Sequence, residues 1–138
     1  PDAQIVNLSS LFGLIAPPGQ TAYSAAKFAV RGFSQALRHE LQAEGSRVGV
    51  TVVHPGGVRT RIASSARMAR NAPAQSEQEK RRVEHLLRMP PEKAGEIIVR
   101  AAERRRARVL VGTDAGLVSV LERLAPVNYW SLLGKALR

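Results

Sequence analysis

The chain has 138 residues, enough for one domain at most, and no cysteine, which excludes disulfides and thiolate metal sites. Its formal charge is +10, from 21 Lys and Arg against 11 Asp and Glu, a balance that attracts anions. No signal peptide and no apolar run long enough for a bilayer is present, so a cytoplasmic protein is expected.

The basic charge raises a nucleic-acid or anionic membrane partner. The arginines, however, are spread over several helices, with one dense run at Arg104-Arg105-Arg106-Ala107-Arg108. Aromatics to interleave with them make up only 4% of the chain, and no helix-turn-helix or RNA-binding signature occurs. Solvated helix faces are the expectation, and no nucleic-acid partner. His39, His54 and His85 show no metal-ligand spacing; the first and last read as solvated helix residues, His54 as a strand-end residue.

In chain order, residues 4–9 read as a strand through the apolar run Ile5-Val6-Asn7-Leu8. Ser10 follows where that strand ends and the chain emerges. In open α/β sheets ligands bind just beyond the carboxyl ends of the strands, so its hydroxyl is placed to bond a substrate carbonyl. Residues 11–20 form a loop with Gly13, Pro17, Pro18 and Gly19. Its Leu14, Ile15 and Ala16 serve either as an apolar wall for substrate or as a cover for the sheet.

A long helix is expected from 21 to 44, stopped by Gly45. Tyr23 and Lys27 stand four apart, one turn above the other on one face. A free phenol titrates near pH ~10, too high for a base at neutral pH. An ammonium held close favours the phenolate and lowers that value, giving a usable general acid/base. Ala26, Val30, Phe33, Leu37 and Leu41 form one apolar stripe, and Ala22, Ala25, Ala29, Gly32 and Ala36 a second, of small residues. One sheet face covers one stripe; the small one suits a second helix, from a longer chain or a symmetry-related subunit. Residues 48–54 are β-branched and read as a strand buried on both faces. It runs into Pro55-Gly56-Gly57, a turn that lets backbone approach a ligand.

Two stretches carry a family resemblance. Ile5-Val6-Asn7-Leu8-Ser9-Ser10, Gly13, Pro18 and Tyr23-Ser24-Ala25-Ala26-Lys27-Phe28-Ala29-Val30-Arg31-Gly32-Phe33 resemble the short-chain dehydrogenase/reductase family. Val52-Val53-His54-Pro55-Gly56-Gly57-Val58-Arg59-Thr60 is similar to its P-G-x-V-x-T element. The resemblance implies a catalytic set of Ser10, Tyr23 and Lys27. It also implies NAD or NADP as cofactor, with Tyr23, Lys27, Pro55, Gly56, Val58 and Thr60 as contacts. Lys27 would hold the nicotinamide ribose hydroxyls, while backbone at Val58 and the hydroxyl of Thr60 would meet the carboxamide. It further implies a symmetric dimer or tetramer through the 21–44 helix. The family's relay asparagine belongs to a helix before this chain begins.

No T-G-x-x-x-G-x-G turn occurs, and no acidic residue follows such a turn to hold an adenosine ribose. A doubly wound dinucleotide fold has two βαβαβ halves, with the pyrophosphate site in the first. Residues 1–138 are therefore expected to be the C-terminal, catalytic half of one Rossmann-type α/β domain with a parallel sheet. Without the first half, the edge of the 4–9 strand would stand unpaired.

Residues 61–89 are polar, and 63–74 occupy the family's substrate lid. Ser76-Glu77-Gln78-Glu79 carries a capping box, predicting a helix over 77–88. Pro90-Pro91 opens the next helix, to about 105, with Ala94, Ile97, Ile98 and Ala101 on its core face. A last strand at 108–112 precedes a helical extension over 113–138. There Asp114 is expected to cap a helix with Leu117, Val120, Leu121 and Leu124 on one face, ending near Pro126. The amphipathic tail 127–138 would cover the substrate cleft, pack on a subunit or touch a membrane surface.

The function implied is reversible hydride transfer between NAD(P) and an alcohol/carbonyl pair. Two other classes compete: a family-like binding module without chemistry, for which the absent glycine turn speaks, and a basic nucleic-acid binder. Cofactor binding discriminates against the first, and a steep fall of affinity with salt would mark the second.

Overall fold

The computed structural model describes residues 2–61, 65 and 86–136. The expected lid over 63–74 and helix over 77–88 lie, apart from Ser65 and residues 86–88, outside them.

Three strands, β1 (Gln4–Leu8), β2 (Gly49–Pro55) and β3 (Arg108–Val111), form one parallel sheet in that spatial order. Ile5 lies opposite Val50 and Leu8 opposite Val53; on the other side Val52 meets Arg108 and Pro55 meets Val111. Parallel neighbours need a long crossover, and helices α1 (Thr21–Ala43) and α2 (Pro91–Glu103) supply the two. Two further helices follow, α3 (Thr113–Leu124) and α4 (Tyr129–Ala136). This is the expected α/β architecture, with boundaries within two residues of those read from the sequence. No helix among the described residues is long and apolar enough to cross a membrane.

β2 is central and buried from Val50 to His54, as its unalternating β-branched run requires. Val53 packs with Val111 and with Ala94 of α2, backed by Ile97, Ile98 and Val109, so the predicted α2 face is the core face. Burying each such valine contributes about 1.5–3 kcal/mol relative to exposure. Successive side chains of a strand point to opposite faces, which turns Val50, Val52 and His54 away from α2, toward the loop after β1 and α1. The outer edge of β1 has no strand partner among the described residues, and Ile5 and Leu8 are exposed.

Helix α1 ends as its sequence directs. Gly45 takes φ +67, while the N–H groups of Gly45 and Ser46 donate to the carbonyls of Gln42 and Leu41, closing a Schellman motif. Its lateral placement differs from the two-stripe expectation. The line facing the sheet is centred on Ser24 and Ser34, both buried, flanked by Val30, Leu37 and Leu41. Ala26 and Phe33 are exposed, as is the whole small-residue stripe. Serine serves at the sheet because its hydroxyl finds partners there: Ser34 Oγ donates to the Val30 carbonyl at 2.7 Å and accepts from Asn7 Nδ2 at 3.0 Å. Helical apolarity marked a second surface more strongly than the contact with this sheet.

The expectation for α3 also needs correction. Its buried residues are Ala115, Val118 and Ser119, while Leu117, Val120 and Leu124 face outward. Asp114 makes no capping bond to its own helix, whose N-cap is Gly112. The start of the tail meets the chain itself: Tyr129 Oη accepts the Ala16 N–H at 3.1 Å. Trp130 joins Ala16, Pro17, Thr21 and Phe28 around a cleft of about 570 Å³. Leu14 and Ile15 are buried, leaving Ala16 as the exposed member of that trio.

Candidate active site

Ser10 sits at the carboxyl end of β1 and caps a single 3-10 turn, Leu11–Gly13. Its backbone is extended, and its Oγ accepts the Phe12 N–H at 3.1 Å. A serine oxygen used as an acceptor keeps its own proton free to donate. The turn lies hard against α1. A Cβ on Gly13 would stand 2.2 Å from Ser9 Oγ and 2.8 Å from the Lys27 carbonyl oxygen, so only glycine permits this approach. Ser9 Oγ completes the seam by donating to that same carbonyl at 2.8 Å.

Tyr23 and Lys27 emerge one turn apart on the side of α1 that meets this seam. The Phe12 ring packs edge-on against the Tyr23 ring at 5.9 Å, which fixes the phenol while leaving it 37% exposed. Lys27 Nζ lies 5.6 Å from the Tyr23 ring centroid, within cation–π range, and donates to the Leu8 carbonyl at 3.1 Å. An ammonium has three donors, and the strand end takes one of them. The strand end, the 3-10 turn and the first turns of α1 thus collect Ser10, Tyr23 and Lys27 at one end of the sheet.

Residues 55–60 leave the neighbouring strand on that same end, because parallel strands share their direction. Gly56 N–H extends the ladder to the Val111 carbonyl at 2.9 Å. Gly57 donates to Asp114 Oδ2 at 2.6 Å, and its carbonyl accepts the Met89 N–H at 3.0 Å. The Val58 N–H donates to the Gly56 carbonyl and the Val58 carbonyl accepts from Thr60, both at 2.9 Å. These are three-residue turns. The backbone groups expected to meet a carboxamide are therefore engaged locally here.

The family model described as short chain dehydrogenase matches residues 1–71 of this chain. That is just over half of it, and it holds every residue of the expected site. The chain belongs to the short chain dehydrogenase family. The oxidoreductase SadH of Mycobacterium tuberculosis is 47% identical over 135 residues, covering 96% of this chain and 48% of that protein. A short chain dehydrogenase/reductase from Burkholderia phymatum, solved in complex with NAD, matches with a TM-score of 0.76 at 25% identity. It covers 91% of this chain and 48% of that one. A short chain dehydrogenase from Burkholderia cenocepacia, solved in complex with NADP, has a TM-score of 0.64 at 22% identity. It covers 98% of this chain and 47% of that one, a likeness of fold. The chain spans about half the length of these three proteins.

Two residues of this short chain dehydrogenase carry more of the site than their sequence context suggested. His54, read as a strand-end residue, is fully buried, and its Nδ1 lies 2.9 Å from the Ser10 carbonyl oxygen. The nitrogen facing a carbonyl carries the proton, which leaves Nε2 bare; Nε2 is buried without a partner among the described residues. Burial holds the imidazole down at about 4, opposed by the bond to Ser10 and aided by Arg108 and Arg31. The available signal was a histidine ending an unbroken β-branched run. Asp114 is the second, and its reach to Gly57 across 57 positions leaves no local trace in the sequence.

Proposed function

We propose that this chain is the catalytic half of a Rossmann-type oxidoreductase that moves a hydride between NAD or NADP and an alcohol/carbonyl pair. The observation that carries this is the Tyr23–Lys27 pair, fixed by Phe12 and Leu8 beside Ser10 at the carboxyl end of β1. The donors suit a nicotinamide ribose: Lys27 has two ammonium protons beyond the one spent on Leu8, and Tyr23 is open to solvent. When bound, the nicotinamide supplies or accepts the hydride.

The chain's own residues handle the proton and the geometry. Ser10, whose oxygen already accepts from Phe12, donates a hydrogen bond from its hydroxyl to the substrate carbonyl and orients it, keeping its own proton. Tyr23 delivers the proton to the developing alkoxide, or takes it from the alcohol in the reverse direction. Lys27 holds the ribose, its ammonium standing 5.6 Å from the centre of the Tyr23 ring. Residues 55–60 receive the nicotinamide end, with the Thr60 hydroxyl and Val58 backbone as contacts once the local turns open.

The remainder of the nucleotide site belongs to a first half. Support comes from the unpaired outer edge of β1 among the described residues and from coverage of 48% of SadH. Residues 61–89 act as the substrate lid and 113–138 as a helical extension. The exposed small-residue stripe of α1, bordered by exposed Phe28 and Phe33, is the face of a homodimer or tetramer in the cytoplasm.

Replacing Tyr23 in the full-length protein tests the chemistry. A general acid/base contributes about 10²–10⁴-fold, so Tyr23→Phe should lower turnover by at least about a hundredfold while still binding cofactor. Wild-type turnover in that variant would remove Tyr23 from the mechanism.

A further inference from the structure

We propose that Asp114 is the positioning residue for loop 55–60, an assignment that rests on that loop receiving the nicotinamide end of the cofactor. Asp114 sits in the first turn of α3, where an acid is ordinarily explained by capping its own helix. It makes no such bond. Nor does it form an ion pair among the described residues, in a chain of charge +10. Its carboxylate turns instead to the loop, accepting the Gly57 N–H at 2.6 Å, the short distance of a charge-assisted bond.

The surroundings are shaped for that carboxylate. A Cβ at Gly56 would stand 2.2 Å from Asp114 Oδ2 and 2.3 Å from Oδ1. A Cβ at Gly112 would stand 2.2 Å from Oδ1. Gly112 also holds φ +110, a conformation that favours glycine at the hinge between β3 and α3. Glycines from two separate segments therefore open one space, and one carboxylate fills it.

The consequence for the loop is mechanical. The Gly57 N–H is fixed by Asp114 and the Gly57 carbonyl by Met89, so this residue is held from both sides. Val58 and Thr60, one and three positions further on, inherit their placement from it. Without Asp114 the Gly57 N–H loses its acceptor, the turns at Val58 and Thr60 lose the fixed anchor about which they open, and a smaller fraction of the loop's shapes is competent to bind. Apparent affinity then falls by that fraction.

The test uses the full-length protein with NAD and NADP as probes, following cofactor affinity by titration alongside kcat and both KM values. Asp114→Ala should raise the dissociation constant and KM of the preferred cofactor about tenfold, with the substrate KM moved less than twofold. Asp114→Asn, whose amide oxygen still accepts the bond, should recover most of that loss. Asp114→Glu keeps the charge but carries the carboxylate one methylene away from its place beside the Gly57 N–H, and should bind the cofactor less tightly than the asparagine variant. A purely structural role would lower the melting temperature of all three and leave cofactor affinity of the folded protein at the wild-type value; that result overturns the assignment. If Asp114→Ala does not fold, the contrast between the asparagine and glutamate variants decides. A wild type that binds neither cofactor overturns the nicotinamide assignment itself, and the variants are not then needed to tell the two failures apart.

Discussion

His54 offers the sharpest quantitative check on the seam that holds Ser10. The perturbation is acid. An unfolded histidine takes up a proton near pH 6.5, whereas burial keeps the folded one neutral down to about 4. Between those values the unfolded state binds more protons, so folding stability falls as pH falls through that window. For this one group the loss is about 0.8 kcal/mol at pH 6, about 2 at pH 5 and about 3 at pH 4. The structure supplies the cause: a proton added at Nε2 enters a buried site with no acceptor among the described residues, while the opposite nitrogen is tied to the Ser10 carbonyl. The assay is urea unfolding of the full-length protein at pH 7 and pH 5, compared with His54→Asn. The asparagine amide can still donate to the Ser10 carbonyl but cannot titrate. Wild type should lose about 2 kcal/mol more than the variant over this interval. Equal losses in the two proteins would refute the buried neutral imidazole.

Two further outcomes follow from the site and the outer face of α1. Lys27→Met should weaken cofactor binding and lower turnover in the full-length protein; an ammonium that only solvates the helix would leave both at their wild-type values. Ala36→Trp, a bulky group on the exposed small-residue stripe, should convert a dimeric or tetrameric wild type into monomer by light scattering, and a monomeric wild type would sink that assignment.

The elements were legible because each is written locally. The β-branched run of β2, the glycine after α1 and the proline pair at the start of α2 set boundaries without help from distant contacts. The Tyr23/Lys27 spacing was legible for the same reason, since four positions on a helix are neighbours whatever surrounds them. What failed depended on partners far along the chain. The polar line Ser24–Ser34 faces the sheet because Asn7 and the Val30 carbonyl receive Ser34, and hydropathy alone assigns such residues to water. Leu117, Val120 and Leu124 have helical spacing and still face outward, because periodicity identifies a stripe without saying which surface it meets. Asp114 looked like a cap because a first-turn acid usually is one; only the fold brings Gly57 to it.

Helix α1 therefore places serines inward and alanines and phenylalanines outward. Whatever covers that outer face contributes to the folding equilibrium itself. A covering element on the same chain would contribute a fixed amount at every dilution. A second copy contributes by mass action, so the melting temperature of the protein becomes a function of its own concentration. In a cell making little of the protein, scarcity alone would then lower the fraction folded.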